Sequence, residues 1–196
     1  GVCVVRDAAR PTPDVPPLAS GRFVAGYAGH LYPWKGVDVF VQALTHAPGV
    51  HGLIVGGHPE EADLDRVNRL VRSLDLESRV TITGLVPPRE VAAALAWASV
   101  LVLPNTASAI SERYTSPLKL FEYLQMGRPI VASNLAALRE VLTDGVSALL
   151  VPPGDPRALG QALIRLKNEP ATVAALTASA RALAPGYTWT ARAEKI

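Results

Sequence analysis

Cysteine is all but missing from this 196-residue chain: Cys3 stands alone, so no internal disulfide can form and a small disulfide-stapled fold is excluded. A lone thiol points to a reducing, cytoplasmic setting. An excess of charge is missing too, because 19 Lys and Arg meet 17 Asp and Glu and leave a net +2, which gives no broad basic field for a nucleic-acid backbone. Long apolar runs are also lacking. The most apolar stretch, 91–104, falls short of the roughly 20 residues a membrane helix needs, and Ser99 divides it into a helix-like and a strand-like half. Neither a nucleic-acid partner nor a membrane contact is expected of this domain. No Cys/His group has zinc-like spacing and no carboxylate cluster offers Mg²⁺ ligands, so no metal is expected. The opening GVCVVRDAARPTPDVPP lacks an initiator Met and a secretory profile, and reads as a chain entered partway along.

Several enzyme signatures are absent as well. There is no G-x-G-x-x-G, no G-x-x-x-x-G-K-[ST], no G-x-S-x-G and no H-E-x-x-H, which disfavours dinucleotide-binding, P-loop, serine-hydrolase and zincin chemistry.

What is present is an apolar fraction of 49%, enough for a sizeable core, arranged in one repeated alternation. After a short strand at 2–5 come four prolines, Pro11, Pro13, Pro16 and Pro17, which stiffen residues 1–20 into a linker. Strands are then expected at 23–28, 51–55, 80–83, 100–103, 129–132 and 148–151. Helices fall between and after them at 37–44, 60–74, 89–98, 117–126, 135–142, 156–167 and 171–183. Short strands, apolar on both faces and separated by helices, predict an α/β fold: a Rossmann-like, doubly wound, parallel six-stranded sheet with helices on both faces. In the helix at 60–74, Leu64, Val67, Leu70, Val71 and Leu74 share one side; Arg66, Arg69 and Arg72 lie off it and read as a solvated face.

Right-handed crossovers favour the strand order 3-2-1-4-5-6, in which strands 1 and 4 are neighbours whose chains leave in opposite directions. Ligands bind such sheets in the crevice beyond those carboxyl ends. Two loops open there. The first, GYAGHLYPWKG, carries Gly29 at the strand end, then His30, then Lys35 just before a helix. An ammonium there suits an anionic ligand or is simply a surface charge, and His30 is either a ligand contact or a satisfied hydrogen-bonding residue. Only four lysines stand beside fifteen arginines, and Lys35 and Lys119 both fall in or next to these loops.

The second loop is long for a βα connection and ends in Thr115, Ser116 and Pro117. Ser116 can cap the helix with Pro117 at its first position, leaving free N–H groups that make an anion seat suited to phosphate. Glu122 follows Lys119 by three residues, so the two form a plain helical ion pair or Glu122 accepts hydrogen bonds from the vicinal hydroxyls of a ribose.

Together, GYAGHLYPWKGVDVFVQAL, VTITGLV, VLVLPNT and TSPLKLFEYLQMGRPIVASNLAALREVL resemble the C-terminal, nucleotide-sugar-binding domain of a GT-B-fold retaining glycosyltransferase, group 1 or family 4 type. The resemblance implies a donor-binding domain over 21–184, an interdomain strand and linker before it, and the start of a C-terminal crossover helix over 185–196. The N-terminal acceptor-binding domain would be its missing partner. The implied reaction moves a sugar from a nucleoside diphosphate donor (UDP-, GDP- or ADP-sugar) to an acceptor hydroxyl, in the cytoplasm, with no permanently bound cofactor.

By the same resemblance, Lys35 matches the family's diphosphate-binding lysine, and His30 fills the place of its arginine. Gly29, Thr115, Ser116, Pro117, Leu118 and Lys119 line the diphosphate seat, and Glu122 matches the second Glu of an E-x7-E motif that binds ribose. The first Glu of that motif would fall at Tyr114; Glu112 lies two positions further and is the candidate beside the transferred sugar, with Lys35 the other catalytic candidate. The nucleobase would lie by Gly84, Leu85 and Val86. A nucleotide-sugar epimerase of the same fold is the alternative enzyme reading. A non-enzymatic flavodoxin-like or regulatory module would place an acidic cluster at the strand ends, and these loops carry lysines instead.

Overall fold

In the computed structural model, which describes residues 21–108, 118–188 and 191, the alternation forms one parallel sheet of six strands in the order β3-β2-β1-β4-β5-β6. The strands are β1 (Phe23–Ala28), β2 (Val50–Val55), β3 (Val80–Ile82), β4 (Val100–Leu103), β5 (Ile130–Ser133) and β6 (Leu149–Val151). The expected order is the observed one. Between the strands lie α1 (Val37–Thr45), α2 (Ala62–Ser73), α3 (Pro88–Leu95), α4 (Leu118–Gln125) and the short α5 (Ala136–Arg139). Helices α6 (Pro156–Asn168) and α7 (Pro170–Leu183) follow β6. No helix among the described residues is long and apolar enough to cross a membrane.

Strand β4 shows why this chain makes a covered parallel sheet. All four of its residues are buried; Val100 and Val102 enter one core with Phe40, Val67 and Leu163, while Leu101 and Leu103 enter another with Leu95, Leu120 and Tyr123. The alternation of side chains along a strand thus supplies two separate helix layers. Helix α6 begins where Asp155 accepts from the Arg157 and Ala158 N–H groups at 2.9 and 3.0 Å, with Pro156 in the first turn.

Two local expectations need correction. The helix expected over 135–142 is regular only across Ala136–Arg139, after which the Val141 and Leu142 N–H groups both converge on the Leu138 carbonyl, at 3.1 and 2.8 Å, and polar side chains take the backbone from Thr143 on. Ser147 Oγ accepts from the Thr143 N–H, and Asp144 Oδ1 accepts from the Leu150 N–H, each at 2.8 Å. On α2, Arg69 and Arg72 are exposed as expected, but Arg66 is about 29% exposed and fully engaged. Its guanidinium fork meets Asp38, Asp63 and the Leu31 carbonyl, because α2 packs beside α1 and the loop after β1.

At the carboxyl ends, β1 pairs with β2 on one side and β4 on the other, with Gly26 opposite Leu101. The connections leaving β1 and β4 therefore part above the sheet and leave a crevice between them.

Candidate functional site

The first wall of the crevice is residues 29–36. Gly29 sits at φ 145°, a region closed to residues with a Cβ, and its N–H bonds to the Val55 carbonyl at 3.0 Å. The chain then turns through a single 3₁₀ turn, Pro33–Lys35, that ends at Gly36 in the left-handed conformation (φ 75°). A Cβ on Gly36 would run into the Pro104 carbonyl, so glycine here lets the loop after β1 lie against the end of β4. The Thr106 N–H completes the junction by donating to the Trp34 carbonyl at 3.2 Å.

The second wall is the start of α4. Tyr123, fully buried on its apolar face, accepts a hydrogen bond from the Ala28 N–H at 2.8 Å, which fixes α4 against the last residue of β1. Burial pushes the Tyr123 hydroxyl well above the ordinary tyrosine range, so it stays neutral. One residue before it, Glu122 Oε2 receives Lys119 Nζ at 2.8 Å. The Lys119 side chain lies over Gly29, with Cε 3.9 Å from where a glycine Cβ would stand.

These walls bring Lys35, Lys119, Glu122 and Gly29 together. Lys35 is half-buried, and its pKa is lowered first by that burial and then by the charge of Lys119. Two ammonium groups therefore stand at one mouth, that of Lys119 already answered by Glu122. The Lys119–Glu122 pair is 37% and 45% exposed, so it is worth only about 0–1 kcal/mol and either partner can leave it at little cost.

Other expected residues sit differently. The His30 ring stacks on Tyr32 (centroids 4.9 Å apart) and places Nδ1 3.7 Å from Glu61 Oε1, which also accepts from the Tyr32 hydroxyl at 3.2 Å. Tyr32 in turn stacks on Trp34, making a three-ring ladder along the loop. Leu85 is exposed, whereas Val86 packs on the core beside Val55 and Ala28. Leu118 opens α4 at the rim and is partly exposed. Glu112, Thr115, Ser116 and Pro117 lie outside the described residues. Among the described residues, no group of three or more His, Cys, Asp or Glu could hold a metal ion.

Sequence reasoning passed over Arg66, Glu61 and Tyr123. A tyrosine on an apolar helix face needs a partner for its hydroxyl, and that was a readable signal. Nothing in the sequence distinguishes Arg66 from its exposed neighbours on α2. Outside the crevice, a concavity lined by Gly21, Arg22, Phe23, Gly49 and Lys167 lies at the amino ends of β1 and β2; Lys167 spends its charge on the Pro48 carbonyl at 2.9 Å.

A six-stranded parallel sheet of this order, here with lysines at its β1/β4 crevice, is shared by solved glycosyltransferase structures of the GT-B fold. Sucrose-phosphate synthase from Thermosynechococcus elongatus superimposes with a TM-score of 0.79 at 28% identity, over 91% of this chain and 44% of that one. Anabaena Alr3699/HepE, solved with UDP and glucose, gives 0.77 at 23% identity, over 90% and 47%. Residues 22–169 match the family model of glycosyl transferases group 1, and the chain belongs to that family. Its curated relatives include the amylovoran biosynthesis glycosyltransferase AmsK of Erwinia amylovora, 33% identical over 76% of this chain and 37% of AmsK. A D-inositol 3-phosphate glycosyltransferase of Catenulispora acidiphila is 29% identical over 97% of this chain and 46% of its own length. The chain thus spans less than half the length of these relatives. They lend the epimerase alternative no support.

Proposed function

We propose that this chain is the donor-binding half of an enzyme that moves a sugar from a nucleoside diphosphate sugar to an acceptor hydroxyl with retention of anomeric configuration. One observation carries the reading: Lys35 on one wall and Lys119 on the other, lying over Gly29, bring two cations to the β1/β4 crevice, a placement suited to an anion. A nucleoside diphosphate fits that charge, and UDP is the ligand solved with the Anabaena neighbour.

As the glycosidic bond breaks, its electron pair leaves with the diphosphate, and Lys35 meets the charge that develops there. Lys119 adds a second cation once Glu122 turns to the ribose. The resemblance assigns the rest of the phosphate seat to the segment of Thr115, Ser116 and Leu118, to which Pro117 has no N–H to give. Backbone groups around Leu85 and Val86 flank the base. The family resemblance alone assigns Glu112 to the transferred sugar, while His30, engaged by Glu61 and Tyr32, is left out of the phosphate contacts. The acceptor and any side chain acting on it belong to a second, N-terminal domain.

Calorimetric titration with UDP, GDP and ADP in turn identifies the donor base, and Glu122→Gln tests the site. Glutamine keeps the shape but replaces one acceptor oxygen by a donor, so affinity for the bound nucleotide falls by about 1–3 kcal/mol while the melting temperature barely moves. Against the 2′,3′-dideoxy nucleotide, wild type and variant bind equally weakly. A variant that loses its full increment there as well refutes the ribose role.

A further inference from the structure

The loop that carries Lys35 is held on two sides. On the sheet side, Gly36 lies against Pro104, and the Trp34 carbonyl receives the Thr106 N–H. On the other side stands α2, which contributes nothing to the crevice itself. Arg66 reaches out from α2 with every part of its guanidinium in use: one edge on the Leu31 carbonyl, another on the Asp38 carboxylate in the first turn of α1, and Nε on Asp63 Oδ1 at 3.1 Å. Leu31 and Asp38 bracket the 3₁₀ turn that presents Lys35. A single planar cation thus ties together the entry to that turn, its exit and the neighbouring helix.

We propose that Arg66 is a positioning residue for the donor site, acting through the backbone of residues 31–38 to hold the Lys35 ammonium at the crevice. Resting on the donor reading above, the proposal adds a residue that touches no ligand. Its logic is mechanical. A lysine has four flexible carbons, and its charge is disfavoured here by burial and by Lys119, so the free side chain gains by swinging away to solvent. Fixing its Cα on both sides limits that escape. Glu61, the residue just before the same helix, accepts from the Tyr32 hydroxyl and adds a second tether to the same loop. Asp63 serves Arg66 rather than the loop, holding the guanidinium plane so that it faces Leu31 and Asp38 together.

A double-mutant cycle on the 196-residue chain tests this, with UDP, GDP and ADP as probes and uridine, guanosine and adenosine as the phosphate-free controls. Arg66→Lys keeps a cation for Asp38 but cannot also reach the Leu31 carbonyl, and it preserves the fold; Arg66→Met removes all the contacts. Both lower nucleoside diphosphate affinity about five- to tenfold with nucleoside affinity unchanged, and amide hydrogen exchange speeds up across residues 32–36 but not in β1 or β4. In a Lys35→Ala background the same substitutions cost less than twofold, because the lysine they position is gone. Additive losses in the cycle, or equal losses for nucleoside and nucleoside diphosphate, overturn the proposal. A wild-type chain that binds none of the three diphosphates overturns the donor reading itself, a result distinct from either of those.

Discussion

Gly36→Ala puts the junction between the two crevice walls under direct strain, and Gly154→Ala is its built-in control. Both glycines have left-handed backbones, at φ 75° and 76°, so alanine costs each about 1–2 kcal/mol of conformational energy. Both substitutions also gain the same unfolded-state entropy, which cancels in the comparison. The two sites differ in space: a Cβ at Gly154 meets nothing within 4 Å, whereas one at Gly36 runs into the Pro104 carbonyl, a backbone atom anchored in the end of β4. Forcing that contact apart adds about 1–3 kcal/mol of overpacking. Urea unfolding at 25 °C therefore gives a loss of about 1–2 kcal/mol for Gly154→Ala and about 2–5 kcal/mol for Gly36→Ala. In a chain of this size each kcal/mol lowers the melting temperature by about 2–4 °C. The separation of the walls also moves Lys35, so nucleoside diphosphate affinity drops at least about tenfold in Gly36→Ala and holds in Gly154→Ala. Equal destabilisation of the two variants, or full affinity in Gly36→Ala, refutes the close approach as the reason for that glycine.

Lys35 gives a pH signature. Its folded pKa lies below the ordinary lysine value of 10.5, so the unfolded chain holds more protons in that interval; stability rises with pH there, while nucleoside diphosphate affinity falls as the charge is lost. Lys35→Met removes the Lys35 share of both dependences, read as the difference between wild type and variant in urea titration and calorimetry at several alkaline pH values, since the raised Tyr27 and Tyr123 contribute an opposite stability slope to both proteins. Tyr123→Phe leaves the buried Ala28 N–H without its acceptor and costs about 1–3 kcal/mol in urea unfolding; a loss below a few tenths contradicts that bond. On the proposed reading, in which a second domain would close over the donor, the 196-residue chain by itself is expected to transfer no sugar; turnover at the rate of an intact enzyme refutes this.

The sheet was readable in advance because strands such as Val100–Leu103 are apolar on both faces, and because the handedness of crossovers leaves few strand orders for six such strands. The convergence of Lys35, Lys119 and Glu122 followed from the same topology, since the switch point tells which two loops must meet. Arg66 could not be read this way. Its position off the apolar stripe of α2 matches that of Arg69 and Arg72, and only the packing of α2 beside the loop after β1 decides that one of the three turns inward. The turn of His30 toward Glu61 was equally hidden, because it depends on a carboxylate thirty residues further along that no local pattern pairs with it.

The bond between the Ala28 amide and Tyr123 spans 95 positions of chain, and the contact from Thr106 to Trp34 spans 72. Neither half of the crevice can be completed by local folding, because β1 and its loop must wait until β4 and the helix beyond it have been made and docked. During synthesis the first half of the chain therefore emerges with the crevice unfinished, and its two walls meet only when that helix seats itself. On the proposed donor reading, nucleotide affinity would thus be a stringent gauge of whether this chain has reached its finished topology, blind to partly folded species that secondary-structure spectroscopy would count as folded.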